Sequence, residues 1–171
     1  MQDVVLAQIG CGYWGPNLLR NFSALPNCRV KYVVDASPER RTFVTRNYPL
    51  TKAVDATATV FADPEVTGVI IATPAGTHFE LAKTALLSGK HVFVEKPLAT
   101  TVAEVDELGR LAEARKLVVM VGHTFIYNTA VRYVKKLIDE GALGEIRYIY
   151  SQRLNLGRIR SLNLKKPSFL E

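Results

Sequence analysis

Along the first two thirds of the chain, apolar residues gather into short unbroken runs, and stretches of helical period separate them. VVLAQIG, Val4 to Gly10, is one such run stopped by glycine, and YWGPNLLRNFSAL behind it carries apolar side chains at helical spacing, which reads as strand, tight turn, helix. RVKYVVDAS gives a second strand ending at Asp35, and SPERRTFVTRNY fits a helix with Ser37 as N-cap and Pro38 in its first position. TKAV reads as a short third strand and VTGVIIATP as a fourth. THFELAKTALLSGK is expected to be a helix capped by Thr77, with Gly89 just past its end. HVFVEKP is the fifth strand, TTVAEVDELGRLAEARK an amphipathic helix from Thr101 to Lys116, and LVVMVGH the sixth strand.

Runs that are apolar on both sides suit a sheet buried on both faces, and strands alternating with helices are the pattern of βαβ units. The expected fold class is therefore α/β, a doubly wound parallel sheet complete by His123, so that residues 1–123 form one domain. The pattern then changes. NTAVRYVKKLIDEGALG reads as one more helix, Asn128 to Glu140, with Gly141 as its stop, and EIRYIYSQRLNL alternates with Ile146, Tyr148 and Tyr150 on one face. Alternation belongs to a sheet with one wet face, so residues 124–171 are expected to hold a connecting helix and the first strand of an incomplete second α/β domain. A single strand cannot bury a core. The strand from Ile146 to Leu154 is expected to keep open edges and either to be flexible or to pair with another chain, the latter a route to a homo-oligomer.

At 171 residues, 48% hydrophobic and 22% charged, the chain suits one ordinary domain and part of a second. It has no apolar run near the roughly 18 residues of a membrane span, and MQDVVLAQIGCG lacks the basic start and apolar core of a signal peptide, so neither membrane nor export is expected. The two cysteines, Cys11 and Cys28, stand at no metal-ligand spacing; a reducing cytoplasm and no metal follow as expectations. The net charge of +6 gathers late, at Arg147, Arg153, Arg158, Arg160, Lys165 and Lys166. No recognition helix or stacking platform accompanies those charges, so they read as solvated surface, Tyr148 and Tyr150 as sheet-face packing, and nucleic acid is not an expected partner.

GCGYWG, Gly10 to Gly15, matches G-x-G-x-x-G directly after a strand and at the opening of a helix. In that setting Gly10 permits the tight turn, Gly12 lets backbone approach a pyrophosphate, and Gly15 allows close helix packing, while the pyrophosphate rests on the helix N-terminus. This is the Rossmann arrangement, and the whole loop, Tyr13 and Trp14 included, becomes a candidate cofactor contact. Asp35 closes the second strand at the interval where a carboxylate takes the adenosine ribose hydroxyls. Its charge disfavours a ribose 2'-phosphate and so favours NAD, while Arg40 and Arg41 leave NADP possible.

Ligands of an open parallel sheet lie beyond the carboxyl ends of its strands, which here are TPAGTH (Thr73 to His78), EKP (Glu95 to Pro97) and GHTF (Gly122 to Phe125). Taken with GCGYWGPNLLRNF and LGEIRYIYSQR, in this order from Val4 to Arg160, these stretches resemble the N-terminal part of the Gfo/Idh/MocA oxidoreductases, named for glucose-fructose oxidoreductase and inositol dehydrogenase. The resemblance implies NAD(P)-dependent hydride transfer at a sugar, cyclitol or nucleotide-sugar alcohol. By it, Thr73 and Pro74 border the nicotinamide ribose, His78 lines the cofactor cleft, Lys96 is the active-site lysine, and Glu95 approaches the same ribose. His123 and Asn128 reach the substrate pocket. A lysine can hold or relay the carbinol proton if burial and a cationic ring lower its pKa.

The family's Asp-x-x-x-His element of the second domain is absent, since His78, His91 and His123 are the only histidines. From about Leu162 the resemblance ends, and the second domain is expected to be truncated. A residual module that holds NAD without catalysing is the alternative function; a different small Rossmann reductase leaves EKP unexplained.

Overall fold

The structure, a computed structural model, describes residues 4–152 and residue 154. The chain divides into two compact units after Phe125. In the first, β1 (Val4–Ile9), β2 (Cys28–Val34), β3 (Lys52–Val54), β4 (Gly68–Ile71), β5 (His91–Val94) and β6 (Val119–Val121) form one parallel sheet in the order β3-β2-β1-β4-β5-β6. The connections run through α1 (Gly15–Ser23), α2 (Pro38–Asn47), α3 (Ala58–Ala62), α4 (His78–Leu87) and α5 (Val102–Arg115). The expected doubly wound α/β sheet is thus present. Its strand order reverses between β1 and β4, which opens a crevice beyond their carboxyl ends.

Side-chain alternation builds the two layers of the core. Val5, Ala7 and Ile9 of β1 join Val69, Ile71, Val92 and Val94 and meet Ala82, Leu86 and Leu108 of α4 and α5. Leu19 of α1 and Val44 of α2 pack with Val30 and Val33 in the second cluster. Val30 and Val33 are three apart, a spacing that regular alternation would send to opposite faces. The register explains it: Leu6 pairs with Val30 but Ala7 with Tyr32, so Lys31 is an extra residue in β2.

The same bulge lets two adjacent side chains, Lys31 Nζ and Tyr32 Oη, donate to one oxygen, Asp63 Oδ2. Lys90, itself buried, donates from Nζ to the Asp63 carbonyl at 2.6 Å. Lys31, then the Glu65 backbone N–H, then Tyr32 hold the Asp63 carboxyl down from its ordinary 3.8 to about 2. A depressed carboxyl contributes stability that is complete above its unfolded value and is lost as pH falls through the folded one. The melting temperature is therefore expected to drop as pH goes from about 4 toward 2, and Asp63→Asn should lower stability at neutral pH while flattening that acid limb; an unchanged limb in a calorimetric pH series would sink the assignment.

Helix ends largely follow the sequence signals. Ser37 Oγ accepts the Arg40 N–H, and Thr101 and Glu104 form a complete capping box. Gly89, at φ +74°, closes α4 with Gly89 N–H to Leu86 O and Lys90 N–H to Ala85 O. Thr77 departs from expectation: it does not cap α4. A 3-10 turn at Ala75–Thr77 leads into the helix, and the Thr77 hydroxyl donates to Pro74 O at 2.8 Å while lying 2.7 Å from Thr73 Oγ1. Sequence period gave no sign of α3, which at five residues is too short to show one.

The second unit holds α6 (Thr129–Asp139), whose N-cap Asn128 accepts the Ala130 and Val131 N–H groups at Oδ1. Gly141, at φ +67°, stops it as expected. The strand expected from Ile146 to Leu154 is not formed: residues 146–152 and 154 have no strand pairing, and Arg153 lies outside the described residues. An alternating segment becomes a strand only against a neighbour that supplies carbonyls and N–H groups. Tyr148 and Tyr150, expected to pack on a sheet face, are 85% and 74% exposed. No helix among the described residues is long and apolar enough to cross a membrane.

Candidate functional site

The glycine loop joins β1 to α1, and its three glycines meet three different constraints. Gly10 sits at φ +93° with its N–H on Val34 O, and a Cβ there would lie 2.6 Å from Ala72 O at the end of β4. A Cβ on Gly15 would lie 2.6 Å from Gly10 O, so the turn closes only on glycine. Gly12 is the opposite case, with no atom within 4 Å of an added Cβ. That clearance lies at the start of a helix with no side-chain cap and no acid in its first turn. The positive end of the helix dipole suits an anion such as a pyrophosphate, while within the first turn Pro16 has no N–H and the Asn17 N–H reaches Trp14 O at 3.0 Å. Tyr13 and Trp14 are exposed on the same loop.

Gln8 is a site residue the sequence reading passed over. Fully buried at the end of β1, it donates from Nε2 to Gly10 O at 2.8 Å and Gly15 O at 3.0 Å, and so ties the first turn to the helix start. Its Oε1 is buried without a partner. The available signal was a polar residue interrupting an apolar run two positions before the motif.

Asp35 follows β2 and turns its carboxylate onto the loop. Oδ2 accepts the Cys11 N–H at 2.7 Å and Oδ1 the Ser37 N–H at 2.9 Å. An ionised carboxylate has about four acceptor positions, so two remain open to further donors. Arg41 is held beside it by Nη1 bonds to the carbonyls of Asp35 and Ala36, both 2.8 Å. Burial, and then the Asp35 charge, push the Cys11 thiol up, which keeps it protonated and unreactive inside the loop.

The remaining candidates stand at the next strand ends. The half-buried Thr73 follows β4, and its Cγ2 would lie 3.0 Å from a Cβ on Gly10, which places the two sides of the crevice in contact. Pro74 is exposed. His78 is 1% exposed, with Nδ1 2.7 Å from Pro97 O and Nε2 2.8 Å from Thr73 O. Both ring nitrogens thus address backbone, which differs from the cleft-lining contact the resemblance implies. Lys96 is exposed ahead of a cis peptide to Pro97. Glu95 leans toward the end of β6: its Oε1 would lie 3.1 Å from a Cβ on Gly122, so Gly122 makes room for it. His123 is exposed after β6, whereas Asn128 belongs to the second unit and spends its side-chain oxygen on capping α6. His91 accepts the Val118 N–H at Nδ1, a structural contact. No cluster of three or more His, Cys, Asp or Glu that could hold a metal occurs among the described residues.

Residues 5–123 match the Gfo/Idh/MocA family model, described as an oxidoreductase family with an NAD-binding Rossmann fold. A 2,7-anhydro-N-acetylneuraminate hydratase of Mediterraneibacter gnavus is 33% identical over 153 residues, covering 90% of this chain and 40% of its own length. A levoglucosan dehydrogenase of Pseudarthrobacter phenanthrenivorans is 30% identical over 85% of this chain and 40% of its own. The chain thus spans about 40% of the length of these curated relatives. Among solved structures, a mutant 3-ketoreductase of Actinomadura kijaniata in complex with TDP-benzene and NADP has a TM-score of 0.76 at 28% identity, over 85% of this chain and 46% of that one. Scyllo-inositol dehydrogenase of Lactobacillus casei, with NAD(H) and scyllo-inositol, has a TM-score of 0.78 at 20% identity over 85% and 43%, a likeness of fold. With the family model running from β1 to the end of β6, the chain belongs to the Gfo/Idh/MocA oxidoreductase family, and its first unit is that family's NAD-binding Rossmann domain.

Proposed function

We propose that this chain supplies the cofactor-holding half of an NAD-preferring oxidoreductase that moves a hydride to or from the carbinol carbon of a sugar, cyclitol or nucleotide-sugar alcohol. The observation that carries the reading is the pairing of the Gly12 clearance with the Asp35 carboxylate on one sheet edge. The glycine loop would hold the pyrophosphate on its N–H groups, Asp35 the adenosine ribose, and Thr73, Pro74 and Glu95 the nicotinamide ribose. The nicotinamide, when bound, accepts or returns the hydride. Lys96 would hold or relay the hydroxyl proton from its exposed place behind β5, and His123 would face the substrate. Sugar-directed names among the relatives support the substrate class.

Trp14 is the one tryptophan of the sequence and lies in the glycine loop, so it reports binding directly. NADH is expected to quench its emission to saturation, and NADPH to do so at a concentration at least about tenfold higher. Absence of quenching by either would overturn the reading. The second reading is a module that holds NAD without turnover, resting on the same glycine loop and Asp35 carboxylate. Saturable quenching with no nicotinamide reduction, across a panel of cyclitols and anhydrosugars, would select it.

A further inference from the structure

His78 sits between two strand ends and touches both. Its ring is 1% exposed, Nδ1 lies 2.7 Å from Pro97 O behind β5, and Nε2 lies 2.8 Å from Thr73 O behind β4. Carbonyl oxygens only accept and a neutral imidazole carries one N–H, so the two contacts are hydrogen bonds at the same time only when the ring donates from both nitrogens, as imidazolium. At this level the Glu95 N–H reaches Ile71 O at 2.9 Å as the last ladder bond, and the strand pairing ends there. Thr73 further holds its own segment through the Thr77 hydroxyl, so a pull on Thr73 moves the whole turn.

We propose that His78 is a positioning residue, a bolt that fixes the Thr73–Thr77 turn against the Glu95–Ala99 segment and thereby sets where Lys96 stands relative to the nicotinamide edge. The imidazole does this without touching cofactor or substrate. This assignment rests on the proposed function only for what Lys96 does; the bolt itself is a property of the free chain. It also accounts for a polar aromatic ring buried at the first position of an otherwise amphipathic helix, where desolvation is offset only by hydrogen bonds.

Two conservative variants separate the halves of the bolt. An asparagine amide falls near the Nδ1 position and a glutamine amide near Nε2, so His78→Asn can keep the Pro97 contact and His78→Gln the Thr73 contact, while His78→Phe keeps neither. Amide hydrogen exchange on the free chain is expected to speed about tenfold in both segments for His78→Phe, in residues 73–77 alone for His78→Asn, and in residues 95–99 alone for His78→Gln, with β1 and β2 unchanged. Acylation of Lys96 by an amine reagent, read by mass spectrometry, should change severalfold in His78→Phe and His78→Gln and stay at the wild-type rate in His78→Asn. NADH titration through Trp14 should weaken about tenfold in His78→Phe. Identical exchange in all three variants, a change confined to α4, or a uniform rise across the sheet would each overturn the bolt. If wild-type chain fails to bind NADH, the functional reading falls, and the exchange pattern still decides the role of His78.

Discussion

Gly12→Ala is expected to melt with the wild-type chain and yet lose NADH. The added methyl meets nothing within 4 Å, and the backbone there is not in the left-handed region, so stability should change by less than about 1 kcal/mol. The same methyl projects into the clearance where a pyrophosphate would contact backbone, and the expected cost in NADH affinity is about 100-fold, near 2.7 kcal/mol. Gly10→Ala and Gly15→Ala should behave the other way. Each places a Cβ 2.6 Å from a backbone oxygen, and Gly10 adds a left-handed φ, so losses of roughly 3 kcal/mol or more, with little folded protein, are expected. Calorimetry beside a Trp14 quenching titration measures both quantities on one sample. If Gly12→Ala binds NADH as tightly as the parent, the clearance is not the phosphate cradle.

Asp35→Ser should reverse the choice between the two nicotinamide cofactors. Charge-assisted hydrogen bonds contribute about 1.5–3 kcal/mol each, so losing the carboxylate should weaken NADH roughly 10- to 100-fold. NADPH should gain, because the charge that repels a 2'-phosphate is gone while Arg41 remains anchored on the carbonyls of residues 35 and 36, and Arg40 stays one residue away. The variant also releases the N–H groups of Cys11 and Ser37, so its melting temperature should fall. Parallel titrations of parent and variant with both cofactors settle it. A ratio of affinities that does not move would remove Asp35 from the ribose site.

Six strands and five of the helices were legible because apolar runs buried on both faces leave little else for such segments to be, and because Ser37, Thr101, Gly89 and Gly141 act locally. The glycine loop was legible because its three glycines recur at a fixed local spacing between a strand and a helix, although Gly10 is also confined by the distant Ala72 O. Gly122 and the buried state of His78 were not, since each is defined by an atom far along the chain, Gly122 by Glu95 and His78 by Pro97, while Gln8 shows only as one polar residue in an apolar run. Thr77 has the residue type of a cap, and its hydroxyl is taken instead by Pro74 and Thr73. The segment from Ile146 has the alternation of a strand but no second strand beside it among the described residues.

The extra residue at Lys31 bears on how the interval from the glycine turn to Asp35 should be counted. Length changes in the surface loop before β2 can be absorbed there, because the strand is entered afresh at Cys28. A residue gained or lost after Lys31 cannot. It would interchange the two faces of the strand's last turn of pleat, carry Val33 out of the α1 and α2 layer, and deliver the carboxylate to the wrong side of the sheet. Among chains of this kind, then, an acid displaced by one position marks a strand whose kink has been removed, and its cofactor preference should be read from that kink before it is read from the acid.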